Sequence, residues 1–327
     1  MSLDYTSFFK IRSSYEFEHT AIEVFKIQAV QNPVYHNFIK LLGVNPTKVN
    51  SIAQIPFLPI SFFKTENIVS STKLPELVFT SSGTTGTEQS KHFVSDIQLY
   101  KDSFTCGFNH FYGSPADFTF LALLPGYLER TGSSLIYMMK DLIMLSGTPE
   151  SGFYLNDHEK LARIITELES KNRKTILIGV SFALLDFIEN YHFNLQNTIV
   201  METGGMKGRR KELVREELHG LLKKGFGVNQ IHSEYGMTEL LSQAYSKGEG
   251  RFYCPPWMKV SIRDTEDPLS LLPKGKSGGI NVIDLANLNS CSFIATQDLG
   301  KTYEDGSFEI LGRFDNSDIR GCNLMVL

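Results

Sequence analysis

Cysteine is scarce and scattered in this chain. Its 327 residues hold four, Cys106, Cys254, Cys291 and Cys322, with no CxxC pair and no metal-ligand spacing. That excludes a disulfide scaffold and fits a reducing compartment. Long apolar runs are also missing. The longest, Phe118–Leu124 and Ile176–Leu185, fall well short of the roughly 20 residues that a membrane span needs. The opening MSLDYTSFFKIRSS has no apolar signal core. Positive charge is not in excess: 32 Lys and Arg stand against 36 Asp and Glu, for a net charge of −4. A mildly acidic chain is no general nucleic-acid binder, although the local cluster Lys207–Lys211 has the charge to meet a phosphate. The eight histidines form no HExxH or similar ligand pattern. No internal repeat, low-complexity tract or linker divides the chain. These absences predict a soluble cytoplasmic protein with no membrane span.

What is present is ordinary core material: 42% hydrophobic residues and 21% charged, enough at this length to bury a core without metals or disulfides. Phe17, Ala21, Val24, Phe25 and Ala29 recur at helical spacing from Phe17 to Val30, and Asn32-Pro33 ends that helix. Another helix is expected from Val34 to Leu42. Then strands and helices alternate. Strands are expected at Glu76–Thr80, Phe118–Leu124, Thr175–Val180, Thr198–Glu202 and Asn229–His232. Helices are expected from Ser95 or Asp96 to about His110, over Asp157–Lys171, and over Arg209–Lys224, the last with an apolar stripe at Leu213, Val214, Leu218, Leu221 and Leu222. Alternation of this kind predicts an open, largely parallel α/β sheet whose ligands bind beyond the carboxyl ends of the strands. After about residue 250 the pattern changes to short strands, Met258–Arg263, Ile280–Asp284, Ser292–Thr296 and Phe308–Leu311, between Gly, Pro, Asn and Asp turns. We read one domain over 1–327, with an α/β core to about 250 and a β-rich subdomain from about 251 that ends in a mobile tail.

Four local signals carry chemistry. The first, Thr80-Ser81-Ser82-Gly83-Thr84-Thr85-Gly86-Thr87, packs six hydroxyls and two glycines into eight residues after a strand. Inward-turned amides and hydroxyls make an anion nest, and Lys91 follows. It is not a Walker A loop, and a polar hairpin turn is the plainer reading. The second is Glu234-Tyr235-Gly236-Met237-Thr238-Glu239. Tyr235 offers a flat face to a base and Glu239 a hard oxygen to Mg²⁺; a helix start with a solvated glutamate fits the same residues. The third is Asp298, after an apolar strand, suited to ribose hydroxyls or simply to a turn. In the fourth, Gly312-Arg313-Phe314-Asp315, Arg313 has the reach for a phosphate or ribose.

In this order and spacing, the signals resemble the adenylate-forming superfamily of acyl-CoA synthetases, luciferases and peptide-synthetase adenylation domains. The resemblance runs from about Phe79 to Arg320. It implies that Ser81, Ser82, Gly83, Thr84, Thr85 and Gly86 wrap the phosphates of ATP, with Lys91 ending that loop. Gly204 and Gly205 would line the adenine and acyl pockets. Tyr235, beside Gly236, would stack on adenine, Thr238 would sit near the α-phosphate, Glu239 would hold Mg²⁺, and Asp298 with Arg313 would grip the ribose. The family's hinge pattern is altered: Asn316 replaces its second aspartate. Its small C-terminal domain is expected to be missing, and with it a lysine that Lys207 or Lys91 would have to replace.

The ending Gly312-Arg313-Phe314-Asp315 to Arg320-Gly321-Cys322-Asn323-Leu324 resembles the acyl-protein synthetases of bioluminescence fatty-acid reductase complexes, as do the stretches Leu124–Arg130 and Thr203–Leu213. That branch implies ATP-dependent activation of a fatty acid to acyl-AMP, transfer to Cys322 as a thioester, and delivery to a partner reductase or carrier. Arg320 would favour the Cys322 thiolate; a bystander thiol in a frayed tail is the plainer reading of position alone. Two other readings stay open: an acid–CoA ligase with CoA as acceptor, and a non-catalytic nucleotide- or acyl-binding subunit.

Overall fold

The structure is a computed structural model that describes residues 3–70, 72–81, 88–125, 132–204 and 213–314. Along the chain come α1 (Ser14–Gln31), α2 (Pro33–Leu41), β1 (Leu58–Pro59), α3 (Phe62–Thr65), β2 (Leu77–Thr80), β3 (Lys91–Val94) and α4 (Ile97–Tyr112). Then follow β4 (Thr119–Leu123), α5 (Ser134–Ser146), β5 (Gly152–Phe153), α6 (His158–Ser170), β6 (Thr175–Gly179), α7 (Ser181–Asn190), β7 (Thr198–Thr203), α8 (Arg215–Phe226) and β8 (His232–Tyr235). The rest are strands: β9 (Ala244–Ser246), β10 (Phe252–Tyr253), β11 (Met258–Arg263), β12 (Ser277–Asp284), β13 (Phe293–Thr302) and β14 (Phe308–Arg313). They fall into two compact units. One joins the chain up to Pro75 with Ser90–Ser95 and the chain from Pro256; the other holds Glu76–Gln89 and Asp96–Pro255.

In the central unit, the sheet order is β10-β9-β8-β7-β6-β4-β5. From β5 to β8 every pairing is parallel; β9 and β10 are antiparallel. Every residue of β4 and β6 is buried, as expected of strands covered on both faces. Asp96 caps α4, accepting from the backbone N–H of Gln98 and Leu99, and Asp157 caps α6 through Lys160. Two helices of this unit, α5 and α7, have no counterpart in the sequence reading, nor does the one-turn α3 of the other unit. The apolar run from Ile176 divides at Gly179 into β6 and α7, and short apolar runs do not by themselves tell strand from helix. In α5, apolar residues surround the helix, so no amphipathic period marks it. The helix expected from Arg209 begins at Arg215, so Leu213 and Val214 precede it; Val214 and Leu221 are exposed, and Leu218, Leu222 and Phe226 form the buried face. The strand expected at Asn229–His232 lies at His232–Tyr235.

The other unit is built on the antiparallel ladder β11-β12-β13-β14, with β1 parallel to β13. Its two ends of chain meet in one core. Phe293 of β13 packs against Phe25, Tyr35 and Phe57, with ring centroids 5.9, 6.1 and 6.4 Å away. The apolar face of α1 is as its spacing predicts, with Phe17, Ala21, Val24, Phe25 and Ala29 buried. Asn32 closes α1 and opens α2: its Oδ1 accepts from the Tyr35 N–H at 3.0 Å, and Pro33 occupies the first helical position.

Polar side chains fasten that core. Gln28 Nε2 donates to the carbonyls of Asn287 (2.9 Å) and Leu288 (3.0 Å), and its Oε1 accepts from the Ser292 N–H at 2.9 Å. Asn32 Nδ2 donates to the Ser290 carbonyl at 2.9 Å. Gln28→Leu would strand buried backbone groups of the β12–β13 turn. Each carries a desolvation penalty, so we expect a loss of about 2–4 kcal/mol, measured by urea unfolding, with the larger part absent in Val30→Ala on the exposed side of the same helix.

Candidate active-site elements

Parallel strands deliver their carboxyl ends to one edge of a sheet. In the central unit that edge carries Val180 after β6, Gly204 after β7 and the Gly236–Glu239 segment after β8. Gly204 has φ +58°, a left-handed conformation that costs glycine little. Ser181 Oγ donates to the Gly204 carbonyl at 3.5 Å and to Glu202 Oε2 at 3.3 Å.

The register sets two carboxylates on opposite faces. Thr203 lies opposite Glu234 and Glu202 opposite Ser233, and neighbouring residues of a strand point to opposite sides. Glu202 faces α8, with His219 Nε2 3.7 Å from its Oε1. Burial pushes its pKa up, but His219, the Arg215 charge and Ser233 outweigh burial and hold it below the ordinary carboxylate value. Glu234 faces the tyrosines. It accepts from Thr203 Oγ1 at 2.5 Å, and burial, opposed by that bond and reinforced by the charge of Glu202, raises its pKa to about 7. Gly236 leaves room for that carboxylate: a Cβ there would come within 2.4 Å of Glu234 Oε1 and displace it. Beside it, Tyr112 Oη and His232 Nδ1 share a hydrogen bond at 3.1 Å, and burial together with Lys247 lowers His232 to about 4, so this imidazole is neutral near pH 7.

Of the nucleotide residues expected in this unit, Tyr235 is buried at the end of β8, edge-on to Phe252 at 6.1 Å; the Arg215 guanidinium lies over the other ring at 4.9 Å. Thr238 is half-buried and Glu239 buried. No helix starts at this motif: the residues after Tyr235 form a loop. Ser81 follows β2 and is half-buried, while Ser82, Gly83, Thr84, Thr85 and Gly86 lie outside the described residues, as do Gly205 and Lys207. Thr80, just before that loop, donates its N–H to the Gly132 carbonyl at 2.8 Å.

In the other unit, Lys91 opens β3 and is exposed. Asp298 is not at a strand end. It lies inside β13, because the strand continues to Thr302 against β14, with Arg313 directly opposite. Asp298 is buried, and Arg313 Nε reaches its Oδ1 at 3.4 Å while the arginine side chain stays 71% exposed. Cys322 lies outside the described residues; Cys291 is buried, and Cys106 and Cys254 are partly exposed. Sequence reasoning passed over Glu202, Glu234, Thr203 and Arg263. Only the METGG and SEYGMTE stretches, each with a glutamate before its motif, pointed toward the first two.

Among the described residues no group of three His, Cys, Asp or Glu side chains is placed to hold a metal, and no helix is long and apolar enough to cross a membrane. A single carboxylate suits a Mg²⁺ ion that arrives on nucleotide phosphates and takes its other ligands from them and from water. Glu239, the carboxylate to which the resemblance gives that role, is buried in the loop after β8.

Solved structures decide the fold. Crystalline MatB from Rhodopseudomonas palustris with ATP bound matches at a TM-score of 0.55 and 20% identity over 72% of this chain. An open conformation of 2-hydroxyisobutyryl-CoA ligase with 2-HIB-AMP and CoA matches at 0.68 and 12% identity over 92% of it. This chain has the adenylate-forming ligase fold. The same CoA ligase in its thioesterification state matches at 0.67 and 13% identity over 94% of the chain. The chain spans 47% of the MatB chain and 70% of the CoA ligase chain. No family model and no curated protein matches the sequence.

The two carboxylates give a pH test. Glu234 holds its proton more tightly folded than unfolded. Its stabilising contribution is therefore complete below the unfolded value of 4.5 and lost as pH rises through about 7. Glu234→Gln keeps the shape without the charge. The variant should gain stability relative to the parent as pH climbs from about 4.5 to 8, by about 3 kcal/mol at the top. Urea melts at several pH values measure this; parallel curves would mean that Glu234 binds its proton equally well folded and unfolded.

Proposed function

We propose that the chain is an adenylate-forming acid–thiol ligase. It joins the carboxylate of an acid, fatty in our reading, to the AMP of ATP with release of pyrophosphate. It then passes the acyl group to Cys322 as a thioester and on to a partner protein such as a reductase or carrier. The observation that supports this best is the Tyr235–Glu239 loop at the carboxyl end of β8, next in the sheet to Gly204 at the end of β7, on the adenylate-forming fold.

Each residue has a task in this reading. Ser81 to Gly86 and Lys91 bind the phosphates, and Gly204 and Gly205 line the adenine and acyl pockets. Tyr235 with Gly236 meets adenine, Thr238 the α-phosphate, and Asp298 with Arg313 the ribose. Glu239 holds Mg²⁺, which when bound neutralises phosphate charge as pyrophosphate departs. A thiol is the apt second nucleophile, because a thioester divides one hard acyl transfer into two easier ones. Attack of the thiolate on the acyl carbon breaks the bond to AMP, which leaves as the free nucleotide.

CoA as acceptor is the second reading, favoured by the similarity to a ligase crystallised with 2-HIB-AMP and CoA. Intact-mass spectrometry after incubation with Mg-ATP and a panel of acids, without CoA, separates the two. We expect a hydroxylamine-sensitive gain of one acyl group that is lost in Cys322→Ser, with acid-dependent pyrophosphate exchange preserved. Glu239→Ala should lower that exchange on the order of 100-fold. Pyrophosphate release only when CoA is present would establish the CoA reading. Nucleotide binding with neither reaction would mean a non-catalytic subunit.

A further inference from the structure

The ladder around Asp298 is irregular in an informative way. On β12 and β13, Gly279 lies opposite Leu299 and Asn281 opposite Ala295. Between those pairs, β13 places Thr296, Gln297 and Asp298 against Ile280 alone. A bulge of this kind re-aims a side chain and interrupts the ladder, leaving backbone carbonyls that need other donors.

One side chain supplies them. Arg263, the last residue of β11, is buried and lies opposite Gly279 in the ladder. Its Nη1 donates to the Ile280 carbonyl at 2.6 Å and to Asn281 Oδ1 at 2.9 Å, and its Nη2 donates to the Thr296 carbonyl at 2.5 Å. The guanidinium reaches across Gly279, where a Cβ would come within 2.6 Å of Cζ. Thr296 completes the lock: its Oγ1 donates to the Ile280 carbonyl at 2.9 Å and accepts from the Asp298 N–H at 3.1 Å. Past the bulge, the Phe314 N–H donates to the Gln297 carbonyl at 2.8 Å, and the Phe314 ring centroid lies 5.6 Å from Arg263 Cζ. Burial lowers the Arg263 pKa to about 10, with the Asp298 charge acting against the drop, so the group is a cation at neutral pH.

We infer that Arg263 is a positioning residue: its guanidinium holds the Thr296–Asp298 bulge open and so aims the Asp298 carboxylate at the ribose hydroxyls of the nucleotide. This rests on the ribose role proposed for Asp298. The geometry calls for arginine. A planar fork bridges carbonyls on two neighbouring strands, whereas the point charge of lysine cannot span both.

Equilibrium binding of ATP and of 2′-deoxy-ATP, without acid substrate, tests it on the full chain. The parent should prefer ATP by roughly tenfold or more, and Asp298→Ala should abolish the preference. Arg263→Lys keeps the charge and loses the bridge; it should lose most of the preference too. Gly279→Ala, which displaces the guanidinium and leaves Arg263 in place, should do the same and serves if Arg263→Lys does not fold. A purely structural role would weaken both nucleotides alike and leave their ratio unchanged, and an unchanged ratio in the folded variants overturns the inference alone. A parent that binds ATP without ribose preference overturns both this inference and the role of Asp298. A parent that binds no nucleotide overturns the proposed function itself.

Discussion

Five parallel strands impose one constraint on everything in the central unit. Strands that run the same way finish on the same edge, so the segments after β6, β7 and β8 converge there whatever their sequences are. The chain uses that edge for glycine, tyrosine and glutamate. Behind the edge, pleating separates Glu202 from Glu234 by turning them to opposite faces of the sheet. The same residue type then meets cationic company on one side and tyrosines on the other. The result is one carboxylate held ionised and one held near neutrality.

The second unit solves a different problem. An antiparallel ladder built from the late part of the chain needs a cover, and α1 from the early part supplies it. Hydrophobic burial of Phe25 against Phe293 provides the drive, and Gln28 and Asn32 provide the register, since their hydrogen bonds fit one turn in one orientation. Arg263 does for the bulge on β13 what Gln28 does for the turn before it: a side chain stands in for the missing half of a ladder.

Much of this was legible beforehand. The spacing of Phe17 to Ala29 gave the buried face of α1, and of the two candidates Ser95 and Asp96 for the start of α4 it is Asp96 that caps the helix. The run from Thr175 to Val180 read as a buried strand, and β6 covers all of it but Val180. Where reading stopped, the cause was physical. α7 was hidden because an apolar stretch shared by a strand and a helix has no period to divide it. Asp298 was placed at a strand end because a bulge leaves no mark in composition; its signature is a change of register, which exists only between strands. Arg263 looked like an ordinary charge at the end of a strand. Its partners, Ile280 and Thr296, lie 17 and 33 residues away and offer backbone atoms, about which side-chain identity says nothing.

The discontinuous assembly of the second unit has a consequence for biosynthesis. A ribosome releases the residues of α1 long before those of β13, and between them it makes the whole of the central unit. The apolar face of α1 must wait for β13 while about 260 residues are added, and the central unit is the first that has all its parts. The delay also makes the second unit answer to damage on either side of the central one in sequence. Proteolytic trimming of the early helix and a stop codon before β13 would remove opposite halves of the same core, and each would leave the surviving half with aromatic rings facing water.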